Sequence, residues 1–594
     1  MASFAGFIAS IDFGTTFCGI AFAPCKEDIG VNLIKCPVDW PFGPKGIETK
    51  VPTVILFDSK RNFQSFGYQA KREFSRLKPV DKQVYYYFER FKMELHQKER
   101  FSKSDILPTS NNPRELGLPI LHVFAEALRY LKTYIFTALK KEQGKSFRET
   151  DVKWVITVPA IWKAEARQFM REAAMEAGLL TEKCDPRRLI IALEPEGAAI
   201  AIEQNDGPKF SKYMIVDCGG GTVDICMHEK VKGYSQRNTI REIAMPSGGK
   251  WGGIYVDYQF ASFIENVFSA DCINRIKQDS LHAWNDIIDA FQAAKRDFQT
   301  EGAILKNGMI TNTPKEAEVC IDAPINFVNT IEKIYKKDMQ EILKKHQSEI
   351  KFEFGMFEIS ARKMKSFFQP VISSLLRHID KIMAENRAKC CQLQAIHLVG
   401  GFSESQLLQN SIKAEFEPKL EVIVSGSAKI DIVRGAVLFG ISPSIISERI
   451  SSTTYGLGVT VNFDPQKHDT KYKFKNEEGI DKCKNIFWLM VQKNTPITSS
   501  NHTFSQNLTP LNKHDTTCNV NVYTAENPNA IYTVDRGVKL VGHITHPWPN
   551  PENGYDRKVT VTLNFSGTEI LATVKDTESD VYSFATVDFF SQQC

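Results

Sequence analysis

The sequence predicts a duplicated α/β fold of two lobes, followed by a smaller all-β region. Three observations lead there. A short turn that starts on Asp and runs through Gly and Thr occurs twice, each time between segments that read as strands. Strand-like and helix-like segments alternate through the first 200 or so residues and resume near residue 400. After about residue 450 the helical period disappears, and short alternating β-branched segments take over.

The first turn is Asp12-Phe13-Gly14-Thr15-Thr16-Phe17, behind a strand from Phe7 to Ile11. The second is Asp217-Cys218-Gly219-Gly220-Gly221-Thr222-Val223-Asp224, behind a strand from Tyr213 to Val216. Glycine lets the backbone come close and aims N–H groups at phosphate oxygens. Threonine adds a hydroxyl donor. A carboxylate at the strand end suits magnesium, directly or through its water shell. Three consecutive glycines exceed what a hairpin turn requires. The same device twice implies two halves closing on one nucleotide.

The elements between follow in order. Leu118 to Lys141 has apolar residues at helical spacing and two lysines in its last turn, where the helix dipole favours them. Val152 to Val158 is a strand ended by Pro159. Trp162 to Ala177 is a helix that stops at Gly178, and Arg188 to Leu193 is a further strand. Val256 to Met383 reads as mostly helical, most clearly at Trp284–Phe298, Phe327–Lys345 and Ile359–Met383. Ala395 to Val399 is a strand that turns at Gly400-Gly401 into a helix from Ser405, and Arg434 to Val437 opens a last helix before Pro443. Ile486–Val491, Cys518–Tyr523 and Val559–Leu563, separated by Pro, Asn and Gly, follow an all-β sandwich pattern.

At 594 residues the chain predicts more than one core. The net charge of +4 is small and the basic residues are dispersed, which argues against a nucleic-acid partner. The 13 cysteines are odd in number and irregularly spaced, without Cys-x-x-Cys pairs, as expected of reduced thiols in the cytoplasm. Met1 to Gly6 has no basic segment leading an apolar one, and no run of 18 apolar residues follows. No signal peptide and no membrane span are expected.

Strand, phosphate turn, strand, then helices, done twice, resembles the actin/hexokinase/heat-shock ATPase superfamily. Within it, Asp12–Thr16 and Asp217–Asp224 look like the two phosphate signatures of the 70-kDa heat-shock chaperone family. Thr157-Val158-Pro159-Ala160 resembles that family's connecting segment. Leu193-Glu194-Pro195-Glu196-Gly197-Ala198-Ala199 resembles its Asn-Glu-Pro stretch, and Leu398-Val399-Gly400-Gly401 its adenosine motif. The likeness covers roughly residues 7–450. Tyr85 to Met93 and Val399 to Ser405 resemble the divergent 12A/12B-like members. The resemblance implies an actin-like nucleotide-binding domain over 1–448. Residues 449–594 would be a reduced peptide-binding-like β sandwich without a helical lid.

The resemblance also implies roles for residues. ATP or ADP would be held with Mg2+. Asp12 and Asp217 would hold the ion through water. Gly14, Thr15, Thr16, Phe17, Gly219, Gly220, Gly221 and Thr222 would cradle phosphate, with Thr222 also in the catalytic set. Glu194 would stand near the attacking water, and Lys92 would steady the γ-phosphate. Gly252, Gly253, Lys295, Arg296, Gly400 and Gly401 would line the nucleotide, the last four on its adenosine side. The chain departs from the family at Gln292 (for Glu), Gln299 (for Ser) and Glu404, which replaces the arginine that stacks on the base. Losing that cation–π contact removes about 0.5–2 kcal/mol, which lowers affinity or broadens base selectivity. Pro159 and Arg167 match relay positions, but Ser447 to Ser451 replaces the acidic, leucine-rich linker. Weaker coupling between the domains is therefore expected.

Thr454 to Val459 resembles the start of the peptide-binding sandwich, and Asn494-Thr495-Pro496-Ile497 one of its loops. Without a lid, peptide exchange would be fast. Partners of that region would be polypeptide clients or signalling proteins, with co-chaperones or exchange factors acting on the whole. Three readings follow: a slow ATPase chaperone, a nucleotide-sensing scaffold with little turnover, and, remotely, a small-molecule kinase. The last lacks a recognisable catalytic aspartate.

Overall fold

A computed structural model of the chain describes residues 6–44, 48–97, 102–144, 148–180, 186–205, 209–232, 238–298, 304–306, 309–311, 318–498, 503–548, 550–565, 567–576 and 582–586. Met1–Ala5 and Gln299, used above, lie outside the described residues.

Two sheets carry the first three quarters of the chain, and they repeat one topology. In the first half the strands are β1 (Phe7–Phe13), β2 (Phe17–Pro24), β3 (Lys50–Pro52), β4 (Val152–Val158) and β5 (Leu189–Leu193), ordered β5-β4-β1-β2-β3. In the second half they are β6 (Lys212–Cys218), β7 (Val223–Lys232), β8 (Asn238–Gly249), β9 (Ala395–Val399) and β10 (Glu421–Val424), ordered β10-β9-β6-β7-β8. Each half pairs its first hairpin antiparallel and its next two strands parallel. A parallel crossover needs a helix, and these are α1 (Ile120–Gln143) in the first half and α2 (Ala164–Glu176) between β4 and β5. Ile8 to Phe13 is buried throughout, as a central strand covered on both faces requires.

The halves meet through α3 (Glu194–Asn205) and α4 (Asp431–Ile441). These cross so closely at Gly197 and Gly435 that a Cβ on Gly435 would lie 1.7 Å from the Gly197 carbonyl oxygen. Ala198 to Ile202, Ile432, Val433 and Ala436 to Phe439 join Ile8, Tyr213 and Ile215 in a core shared by both halves. Separate cores fill each half beyond it.

The helical expectation between Val256 and Met383 needs correction. Phe327–Lys345 is two helices, Ile325–Tyr335 and Met339–Leu343, broken at Lys336, whose φ is 54°. A three-stranded antiparallel sheet of Glu318–Asp322, Met356–Ser360 and Ile350–Glu353 interrupts the region.

Beyond β11 (Ile446–Ile450) the described residues hold strands and 3-10 turns only. One antiparallel sheet runs Lys473–Lys475, Asp481–Val491, Thr454–Asn462, Thr517–Ala525, Val538–Pro547. The other runs Thr503–Leu508, Val559–Asn564, Leu571–Asp576, Tyr582–Thr586. Cys518, Val520 and Val522 of the first and Val559, Val561 and Leu563 of the second alternate inward into one core. β11 pairs with β8 on one side and with Pro496–Thr498 on the other, so a continuous ladder links the regions. Among the described residues no helix is long and apolar enough to cross a membrane.

Candidate functional site

The equivalent hairpins β1–β2 and β6–β7 bring the two Gly/Thr turns together, although they are far apart in sequence. A Cβ on Gly220 would lie 2.4 Å from Thr16 Oγ1, and one on Gly221 would lie 2.9 Å from Thr15 Oγ1. Each turn is braced from behind. Thr53 Oγ1 donates to the Gly14 carbonyl at 2.8 Å, and Thr53 N donates to the Thr16 carbonyl at 2.8 Å. The amides of Gly253 and Ile254 donate to the carbonyls of Gly219 and Gly220 at 3.2 and 2.9 Å. Thr15, Thr16, Phe17 and Thr53 line a cleft together with Asp289 and Gln292 of the second half.

Between the turns lies a group of buried charges. Asp12, next to last in β1, pairs with Thr157, whose hydroxyl donates to Oδ1 at 3.0 Å. Lys50 of β3 donates to Asp12 Oδ2 at 2.7 Å. Burial pushes the Asp12 carboxyl up, but Lys50, Lys92 and Thr157 together outweigh it and hold it below its ordinary range. Lys92 sits in a 3-10 turn entered through Arg90, whose φ is 56°. Its ammonium reaches Glu194 Oε1, at the start of α3, at 2.7 Å, and lies 5.1 Å from the Trp162 ring centroid. Burial raises the Glu194 carboxyl to about 7 against the opposing pull of Lys92. Asp217, next to last in β6, is raised well above its ordinary value by burial and by Glu194, Asp224 and Asp12 around it. Asp224 Oδ1 accepts from the Ile161 amide at 3.1 Å, and Thr222 is buried beside it.

Gly400, with φ at 82°, follows β9 directly over Asp217. A Cβ there would lie 2.4 Å from Asp217 Oδ1. Gly401 has no neighbour within 4 Å of a hypothetical Cβ among the described residues. Lys295 is spoken for: it donates to the Gly253 carbonyl at 3.0 Å and to Asp257 Oδ1 at 2.5 Å. Asp257 also accepts from Gln292 at 3.0 Å and from Arg90 at 3.3 Å, so it ties the Lys92 turn to the other half. Arg296 is exposed and Glu404 pairs with Lys429 at 2.9 Å.

The sequence-predicted residues Asp12, Thr15, Thr16, Lys92, Glu194, Asp217, Gly219, Gly220, Gly221, Thr222, Gly252, Gly253 and Gly400 thus come together around the turns. Lys295 is drawn into an ion pair beside them, and Arg296 points to the surface. Sequence reasoning missed Lys50, Asp224 and Asp257. Asp224 closes the second turn motif and was open to notice. Lys50 and Asp257 carry no local signal, because only register and helix packing bring them in.

The group fits a hydrated cation. Four carboxyl groups (Asp12, Glu194, Asp217, Asp224) stand beside two lysines, Lys50 and Lys92, so oxygen donors outnumber ammonium groups. Among the described residues no three Asp, Glu, His or Cys side chains converge to ligate one ion directly. Water-mediated holding by Asp12 and Asp217 is the arrangement these residues permit.

A family model described as Hsp70 protein matches residues 51–322. Heat shock 70 kDa protein 12A of Mus musculus is 29% identical over 98% of this chain and 91% of its own length. Heat shock 70 kDa protein 12B of Homo sapiens is 29% identical over the same shares. Chaperone protein DnaK of Ureaplasma urealyticum is 23% identical over 73% of this chain and 59% of its own.

Proposed function

We propose that the chain is a member of the 70-kDa heat-shock protein family, on the divergent branch of proteins 12A and 12B, and that it binds ATP and ADP with Mg2+ between its two halves and hydrolyses ATP slowly. The observation that carries this reading is the meeting of the two Gly/Thr turns over the Lys92–Glu194 pair. Phosphoryl transfer to water needs positioning and charge stabilisation more than covalent help. Lys92 would steady the γ-phosphate, Glu194 would orient the water, and the glycine amides would hold the β- and γ-oxygens. The metal, when bound, supplies charge neutralisation between the phosphates.

The nucleotide-binding part is 1–448, and 449–594 is a reduced peptide-binding-like sandwich whose engagement of polypeptide follows nucleotide state. Two features support coupling. Glu194 and Glu196 share the first turn of α3, and Glu196 pairs with Arg449 of β11 at 2.5 Å. Arg167 donates to the Thr568 carbonyl at 2.8 Å, while Arg171 grips Glu569 with two bonds of 2.7 and 2.6 Å. Trp488, Leu489, Ile531 and Val534 are exposed on the β region and offer apolar contact for extended chain. A peptide array read without nucleotide, with ADP and with ATP tests this part. A preference for apolar segments that changes with nucleotide is expected, and none in any state would refute it.

A second reading, a nucleotide-sensing scaffold with little turnover, is favoured by the Glu404–Lys429 pair standing where the base-stacking arginine is absent. Multiple-turnover hydrolysis clearly above a Thr222→Ala control would count against it.

A further inference from the structure

The two halves match strand for strand, yet the charges at their turns do not match. Across from Asp217 stands Asp224, and across from that stands Gly248. The equivalent positions beside Asp12 hold Gly19 and Lys50. The first half has thus exchanged an acid for a glycine and a glycine for a lysine. The two exchanges work together. A Cβ on Gly19 would lie 3.3 Å from Lys50 Cε and 3.8 Å from Asp12 Cβ, so the bare backbone gives the lysine stem its path across β2. The stem lies over Gly19 and the ammonium ends on Asp12 at the foot of the first turn, with 13% of the side chain exposed.

A buried ion pair is a poor device for stability, since desolvating two charges costs as much as their attraction returns. Lys92 already offsets Glu194, so a second buried lysine calls for another explanation. An ammonium has three N–H donors and Asp12 uses one of them. Among the described residues neither of the others has a hydrogen-bond partner, and they lie beside the carboxylate through which a hydrated cation would otherwise reach phosphate oxygens.

We propose that Lys50 is a tethered cation of the phosphate site, neutralising Asp12 and donating to the nucleotide's phosphates so that binding persists without a divalent ion. This rests on the nucleotide-site reading above. Magnesium then adds to affinity rather than being required for it.

The test is calorimetric titration of the full chain with ADP and with ATP, in magnesium and in excess chelator, for wild type, Lys50→Met and Lys50→Gln. Wild type should bind in chelator within about tenfold of its affinity in magnesium. The Lys50 variants should lose about thirtyfold or more in chelator and only a few-fold in magnesium. A purely structural lysine would weaken both conditions equally, and that result overturns the proposal. So does wild-type binding that holds in magnesium and vanishes in chelator, a comparison that needs no variant. Absence of binding in both conditions overturns the nucleotide-site reading itself.

Discussion

Gly220→Ala probes the closure of the two turns directly. The added Cβ would lie 2.4 Å from Thr16 Oγ1, 2.7 Å from its Cγ2 and 3.1 Å from its Cβ. Threonine is β-branched, so rotating it about χ1 exchanges one clashing atom for another. The turns must therefore part by about 1 Å to restore ordinary contact. A misplacement of that size in a phosphate-positioning site costs about 10²-fold, or about 2.7 kcal/mol. ATP affinity and single-turnover hydrolysis should together fall by that factor while the unfolding midpoint moves little. Gly30→Ala is the control: its φ is −72° and nothing stands near a Cβ there, so it should behave as wild type. Gly220→Ala protein that binds and turns over ATP within about threefold of wild type would refute the facing of the turns.

Three further outcomes are expected. Lys92→Met leaves Glu194 buried without its partner and should cost about 3 kcal/mol at pH 8. Lys92 pulls the carboxyl down to its wild-type value of about 7, so in the variant it lies higher and takes a proton as pH falls; the loss should shrink by pH 6, and adding Glu194→Gln should recover most of it in denaturant unfolding. Glu242 is raised to about 8 by burial first and by Glu196 next, so its folded value lies above its unfolded one. Its contribution is therefore complete below about pH 4.5 and lost as pH rises through 8. Glu242→Gln should gain on wild type steadily over that window in thermal unfolding, and a constant difference would contradict the assignment. Arg449→Met strands the buried Glu196 and should speed protease cleavage of the segment around β11 by about tenfold, with unchanged cleavage refuting its role as a tie.

Much of the duplicated half of the chain could be read from sequence because its chemistry is local. Asp12–Thr16 and Asp217–Thr222 place acid, glycine and hydroxyl within a few residues, and the strands before them are continuously apolar. Glu194 and Gly400 were found through short motifs at strand ends. What escaped depends on distance. Lys50 is one lysine before Val51-Pro52, and nothing marks it until β3 pairs with Gly19. Asp257 is one acid on a helix, and only packing brings it to Arg90, Gln292 and Lys295. The helix expected over Phe327–Lys345 fails at Lys336 because apolar spacing persists through a residue in left-handed conformation. The small sheet of Glu318–Ser360 has strands of four or five residues, too short for alternation to stand out, though Gly355 at its hairpin was a signal.

The proposed nucleotide site is made by both halves. Titration of the purified full chain with ATP and Mg2+, followed by single-turnover hydrolysis beside Thr222→Ala and Lys92→Ala, tests that most directly. Binding, with slow hydrolysis that both substitutions suppress, is the predicted result. Folded protein that binds neither ATP nor ADP would contradict it.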